Sequence, residues 1–191
     1  MKKIVLASAS PRRQELLEQI GVDFVTIPSN IDEGQIRIKS PTKLARHLAL
    51  SKAKNVAKRV GNSLVIGADT IVVYEDEVLG KPNSKDEAFT MLSKLSGKEH
   101  QVITGLAVID TNTLNQKVIY EVTEVTMRQF TNQEISDYIA TGEPMDKAGA
   151  YAIQERGAIF VDKITGSFSN VVGLPLTKLF VICQELGYRL V

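Results

Sequence analysis

Short β-branched runs alternate along the chain with amphipathic stretches, and punctuating residues mark where each begins. Ile4-Val5-Leu6 reads as a strand, followed by Ser10 as N-cap, Pro11 at the first helical position and Gly21 as a stop. A second strand near Phe24 to Ile27 leads into the acidic loop Ile31-Asp32-Glu33-Gly34. Ser40-Pro41 opens a helix predicted to run to Gly61, with Leu44, Leu48, Val56 and Val60 on one face. Ser84-x-x-Glu87 and Thr131-x-x-Glu134 have the form of capping boxes ahead of apolar helical periodicity. Pro175 to Gly187 closes the chain as a last helix. Strand candidates lie at 63–67, 70–79, 101–110, 117–129 and 158–164, and Asn112-Thr113-Leu114-Asn115 reads as the turn of a long hairpin. Early βα alternation followed by a hairpin predicts a mixed sheet with helices packed on it. No internal repeat or long linker is present, so the chain reads as a single domain or as two lobes sharing one sheet.

Composition narrows the classes of function. Of 191 residues, 43% are apolar and 24% charged, which excludes a disordered chain. Lys+Arg 23 against Asp+Glu 22 leaves a net charge of +1, so no overall field recruits nucleic acid or an anionic membrane. Any anion site must be local. The single cysteine, Cys183, excludes an internal disulfide framework and a multi-cysteine metal site, and its apolar neighbours predict a buried thiol. The apolar stretch Ile4 to Ala7 is too short for a signal sequence, and no run approaches the roughly 18 apolar residues of a membrane span. The expectation is a cytoplasmic protein.

Several common catalytic devices are absent. The chain has no G-x-x-x-x-G-K-[ST] loop, no G-x-G-x-x-G and no G-x-S-x-G elbow. His47 and His100 lack zinc-site spacing or an evident triad partner and read as surface or core residues. Carboxylate, lysine, arginine and hydroxyl chemistry remains, a set suited to a magnesium-assisted phosphate reaction. Ser8-Ala9-Ser10-Pro11-Arg12-Arg13 sits where a strand turns into a helix, offering backbone N–H groups, hydroxyls and fixed positive charge to a phosphate. It reads equally as an ordinary Ser-Pro helix start. Gly67-Ala68-Asp69-Thr70 interrupts two apolar runs, and a carboxylate between buried strand residues is costly unless paired, hydrogen-bonded or metal-bound. Asp69 is therefore the leading candidate for chemistry. Gly80-Lys81-Pro82 places a lysine just past a strand end, Lys52 lies on the second helix, and Glu143 to Gln154 has neither helical nor alternating period.

Taken together these segments resemble the Maf family of nucleoside triphosphate pyrophosphatases. The matching pieces are Ser8-x-Ser10-Pro11-Arg12-Arg13, Asp32-Glu33, Lys52-Ala53, Gly67-Ala68-Asp69-Thr70, Gly80-Lys81-Pro82, Leu95-Ser96-Gly97, Asp146-Lys147-Ala148-Gly149-Ala150-Tyr151 and Val172-Gly173-Leu174-Pro175, in the family's order. The resemblance implies an α/β fold like that of the inosine triphosphate pyrophosphatases, an elongated mixed sheet with a cleft between two lobes. It also implies hydrolysis of a nucleoside triphosphate to monophosphate and pyrophosphate with a divalent metal, Mg²⁺ or Mn²⁺.

One branch of the family prefers dTTP and UTP, and this chain is similar to it at Arg12, Thr70 and Gln154. The 7-methyl-GTP branch carries a tryptophan after Ser-Pro, and this chain has no tryptophan. The resemblance assigns general-base duty to Asp69; Glu33 is expected to share metal binding or water positioning with it, so that Asp69, Glu33 and Lys81 count as catalytic, and Ser8, Ser10, Arg13, Lys52 and Lys81 are the candidates for holding the triphosphate. Arg12, Thr70, Lys147 and Gln154 complete the substrate set. Glu155 departs from the branch, which usually has glycine after the Ile-Gln pair. The implied partner is a small nucleotide, not nucleic acid or membrane, with a homodimer allowed. A purine-selective pyrophosphatase and a nucleotide-binding regulator of septation are the alternatives.

Overall fold

Parallel pairing organises the first third of the chain. In the computed structural model, which describes residues 2–32 and 36–190, strand β1 (Lys3–Leu6) pairs in parallel with β2 (Phe24–Thr26) on one side and with β3 (Ser63–Tyr74) on the other. Helix α1 (Pro11–Gln19) connects β1 to β2, and α2 (Pro41–Ala57) connects β2 to β3. Then follow β4 (Glu77–Leu79), α3 (Lys85–Leu95), β5 (Glu99–Asp110), β6 (Gln116–Met127), α4 (Asn132–Ala140), β7 (Val161–Thr165), α5 (Phe168–Val172) and α6 (Leu176–Glu185). The sheet order is β2-β1-β3-β5-β6-β7, with β4 added to β3, so seven strands form a mixed sheet flanked by helices.

Two compact units can be distinguished. The first comprises Met1–Asp69, Thr104–Glu121 and Gly173–Val191; the second comprises Thr70–Ile103 and Val122–Val172. In the first, the sequence order of β1, β2 and β3 reverses in space, because β3 returns to the far side of β1. Right-handed crossovers then place α1 and α2 on opposite faces. Val5, Ala7, Val65, Ala107 and Ile109 pack against Ala49, Ala53 and Val56 of α2. This helix lies unusually close to the sheet. A Cβ on Gly67 would stand 2.4 Å from the Ala49 carbonyl oxygen, and one on Gly105 would stand 2.1 Å from that of Ala45. Only glycine facing a stripe of alanines permits that approach.

The core of the second unit joins Val72, Val102, Val125 and Met127 of the sheet to Leu92 and Leu95 of α3 and to Ile135, Tyr138 and Ile139 of α4. Helix α4 starts at the expected reciprocal box, with Thr131 accepting from Glu134 N while Glu134 accepts from Thr131 N. At α3 only half of the box forms. Ser84 accepts from Glu87 N, but the Glu87 carboxylate reaches back to the N–H and amide of Asn83.

The structure corrects other expectations. Helix α2 ends at Ala57, not Gly61, where Arg59 N tightens onto the Val56 carbonyl. Its buried stripe is Ala45, Leu48, Ala49, Ala53 and Val56, with Leu44 and Val60 only half-buried. Strand β3 passes through Gly67–Thr70 without a break, since its pairing with neighbouring strands outweighs the local composition. The run 70–79 instead divides at Glu75 and Asp76, both with φ above zero (47° and 65°), a two-residue hairpin turn. Strand β5 begins at Glu99 and β6 ends at Met127. The run 158–164 yields a strand only from Val161, because Phe160 ends a 3₁₀ turn and plugs the core against Phe130 and Tyr138.

Candidate functional site

Register brings the first group of candidates together. Leu6 pairs with Ile66, and Ala7 N donates to the Ile66 carbonyl at 2.7 Å, so Ser8 and Asp69 both lie just beyond the carboxyl end of that pairing. The strand order reverses here, and in open α/β sheets ligands bind outside the carboxyl ends of strands at such a switch point. Ser8 is 6% exposed. Its Oγ accepts from Ser10 N at 3.2 Å and from Arg13 Nη1 at 3.1 Å, while Arg13 Nε donates to the Gly173 carbonyl at 2.7 Å. Arg13 is thus a buried guanidinium on the first turn of α1, with a fixed aim. Ser10 occupies the N-cap position, with Pro11 behind it, but its side chain makes no cap hydrogen bond. The amino end of a helix, with its backbone N–H groups and positive dipole, is suited to an anion. Arg12 is half-buried beside them.

Asp69 is 7% exposed, and its Oδ1 accepts from Lys52 Nζ at 2.5 Å. Alternation on β3 puts Asp69 on the same face as Val65 and Gly67, the face on which α2 lies. The glycine-permitted approach of α2 brings Lys52, between Ala49 and Ala53, within reach of that carboxylate. Taking two charges out of water is unfavourable unless they are paired with good geometry. The buried pair is therefore a built feature. Thr70 follows on the opposite face of the strand.

The second unit carries the remaining described candidates. Gly149 N donates to the Gly80 carbonyl at 3.0 Å, which ties the segment after Lys147 to the residue before Lys81. Gly149 has φ +68° and lies so close to Val72 that a Cβ would meet its side chain at 3.0 Å. Lys147 is 6% exposed, with Nζ 2.7 Å from Asp146 Oδ1 and 3.7 Å from Glu155 Oε2. Lys81 and Gln154 are exposed. The aperiodic segment folds as 3₁₀ turns at Glu143–Asp146 and Ala148–Ala150. Its end is clamped by Glu143, whose carboxylate accepts from Tyr138 Oη, Arg156 N and Gly157 N. Glu33 lies outside the described residues.

Cys183 is fully buried, and burial pushes its thiol up to about 12, which leaves it chemically inert. His100 is the residue that sequence reasoning set aside. It is buried and bonded to Tyr151, and a histidine among Val102 and other inward positions of β5 was the available signal.

Among the described residues no cluster of three or more His, Cys, Asp or Glu could cage a metal. A hard carboxylate such as Asp69 nevertheless suits Mg²⁺ or Mn²⁺ of the kind whose coordination is completed by substrate phosphates and water. No described helix is long and apolar enough to cross a membrane.

Comparison with known proteins bears on the fold and the family. A HAM1 protein from Coxiella burnetii has a related structure, with a TM-score of 0.53 at 16% identity, covering 97% of this chain and all of the other, which shows the fold. A dTTP/UTP pyrophosphatase of Caldicellulosiruptor saccharolyticus is 51% identical over 194 residues, covering all of this chain and 98% of that protein. One from Alkaliphilus oremlandii is 52% identical, covering 97% and 96%, and one from a Geobacillus strain is 50% identical, covering 98% and 100%. The Maf-like protein family model matches residues 3–186. With the serine–arginine turn, the buried Lys52–Asp69 pair and the tied lysine segments in one chain, and with this match over nearly its whole length, the protein belongs to the Maf family.

Proposed function

We propose that this protein is a nucleoside triphosphate pyrophosphatase that hydrolyses dTTP and UTP to the monophosphate and pyrophosphate. The observation that carries the reading is the buried Asp69 carboxylate, oriented by Lys52 at the carboxyl end of the β1–β3 pairing, where Ser8 and Arg13 also lie. Relatives named for this activity, near 50% identity over their full length, support it.

In the mechanism, a water attacks the α-phosphorus and gives its proton to Asp69. The bond from that phosphorus to the bridging oxygen breaks, and pyrophosphate leaves with the electron pair. Asp69 sits on a central strand, and Lys52 Nζ fixes one of its oxygens, so the base is positioned before substrate arrives. Arg13, held by Ser8 and Gly173, and the N–H groups of α1 bind phosphate oxygens, with Ser10, Lys52, Lys81 and Lys147 supplying further donors and charge, while Arg12 serves base choice by facing a ring carbonyl. Such fixed positive charge stabilises the developing anion without reorganisation, the main lever in phosphoryl chemistry. Asp69 and Glu33 would hold a divalent cation, which supplies charge neutralisation on the phosphates when bound. Thr70 and Gln154 contact the base, Gln154 pairing one acceptor and one donor with a uracil or thymine edge.

A panel of nucleoside triphosphates, run with magnesium and with manganese and with products separated by chromatography, tests this reading. Preferential release of UMP and dTMP with pyrophosphate is expected. Preference for purines, or release of orthophosphate, would overturn it.

A further inference from the structure

Tyr151 ends the segment that carries Lys147 and runs on to Gln154. Its ring is 6% exposed, and its hydroxyl lies 2.7 Å from His100 Nε2 with the two rings edge-on at 5.5 Å. His100 is 3% exposed, and burial lowers it from 6.5 to about 4, so the imidazole is neutral at neutral pH. Its Nδ1 has no hydrogen-bond partner. If the tyrosine donates to Nε2, a single buried N–H stays unsatisfied; if the imidazole donates, both the tyrosine hydrogen and the Nδ1 lone pair do. The first arrangement leaves fewer orphans, so the tyrosine is the donor. A phenylalanine facing a leucine would fill the same core with no orphan at all. Stability does not account for the pair.

The backbone around Tyr151 is held in unusual conformations. Gly149 and Ala150 have φ of 68° and 60°, and a left-handed alanine persists only where surrounding structure over-determines it. Upstream the segment is tied by Gly149 N to Gly80, and downstream Glu143 clamps the N–H groups of Arg156 and Gly157. Between these two anchors Tyr151 is driven into the core and stopped by His100 on β5. Gln154 follows three residues later, exposed at the surface.

We infer that His100 is a positioning residue that acts through the Tyr151 hydroxyl to set the placement of Gln154, and so the selectivity of the site for the base. This rests on the function proposed above. It separates base recognition, which depends on the His100–Tyr151 hydrogen bond, from triphosphate binding, which depends on Arg13 and Lys52.

The test compares wild type with His100→Gln, His100→Asn and Tyr151→Phe, after circular dichroism has confirmed folding. A glutamine amide reaches the position of Nε2, whereas an asparagine amide reaches only that of Nδ1. His100→Asn and Tyr151→Phe are expected to raise KM for UTP and narrow the kcat/KM ratio of UTP to CTP, each by about tenfold. Their kcat and their affinity for inorganic tripolyphosphate should stay within about threefold of wild type. His100→Gln should restore most of the discrimination. If His100→Asn does not fold, Tyr151→Phe decides the matter, since it removes one oxygen without changing shape. Folded variants that keep wild-type discrimination, or a His100→Gln as impaired as His100→Asn, overturn the inference. A wild-type protein that turns over no nucleoside triphosphate overturns the functional reading beneath it instead.

Discussion

Replacing Gly67 by alanine tests whether the sheet–helix approach is what places the Lys52–Asp69 pair, proposed above as catalytic. Gly67 has no positive φ, so alanine fits its backbone, and the loss of unfolded-chain freedom alone would stabilise the protein by about 0.4–1 kcal/mol. The added Cβ, however, would lie 2.4 Å from the Ala49 carbonyl oxygen and 2.8 Å from Ala53 Cβ. Relief to an ordinary contact near 3.4 Å requires α2 to move by about 1 Å, and the obstacle is backbone, which cannot rotate away. Overpacking of this kind costs about 1–3 kcal/mol, which outweighs the entropic gain. Lys52 rides on the displaced turn, so its 2.5 Å bond to Asp69 lengthens by a similar amount. A 1 Å misplacement of a catalytic group costs on the order of 10²-fold in rate. Urea denaturation with UTP turnover is the assay. Gly105→Ala, which meets Ala45 two turns away on the same helix, is the comparison and should lose stability with a smaller loss of kcat. Wild-type stability and kcat in Gly67→Ala would refute the argument.

Other outcomes follow from the same geometry. Asp69→Asn keeps the shape and removes the base, so kcat should fall by roughly 10²–10⁴-fold while nucleotide binding persists; stopped-time product assays and titration calorimetry measure the two. Phosphorus NMR should show UMP and pyrophosphate as the first products of UTP, with UDP and orthophosphate counting against attack on the α-phosphorus. Gln154→Ala should cost about 1–3 kcal/mol in kcat/KM on UTP and dTTP through unpaired polar edges, and an equal loss on purine triphosphates would assign Gln154 to loop support. Burial depresses the pKa of His100, so below about 6.5 the unfolded chain takes up a proton that the folded protein refuses, and stability falls as pH drops towards about 4. The loss is on the order of 3 kcal/mol. Urea midpoints across this window should fall less steeply in His100→Gln than in wild type.

Features decided within a few residues were legible in the chain alone. Pro11 and Gly21 bracket α1, Thr131 and Glu134 form their box, and Pro175 precedes the last helix, because caps and stops are contacts between near neighbours in sequence. The inventory of chemistry was legible too, since the absence of a P-loop, a reactive thiol or a histidine cluster is a property of composition. Tertiary structure decided what depends on distant partners. Strand β3 runs through Gly67–Thr70, although the local pattern suggests a break, because β1 and β5 flank it. The Glu75–Asp76 turn is set by the pairing of β4 back onto β3 and has neither the glycine nor the asparagine that would mark it, only Asp76. Lys52 meets Asp69 across 17 residues only because glycine on the strand lets α2 settle on the sheet. His100 finds Tyr151 across 51 residues, a pairing that no periodicity encodes. Local signals fix where elements begin, whereas the free energy of burying and pairing side chains from remote segments determines which groups share a site.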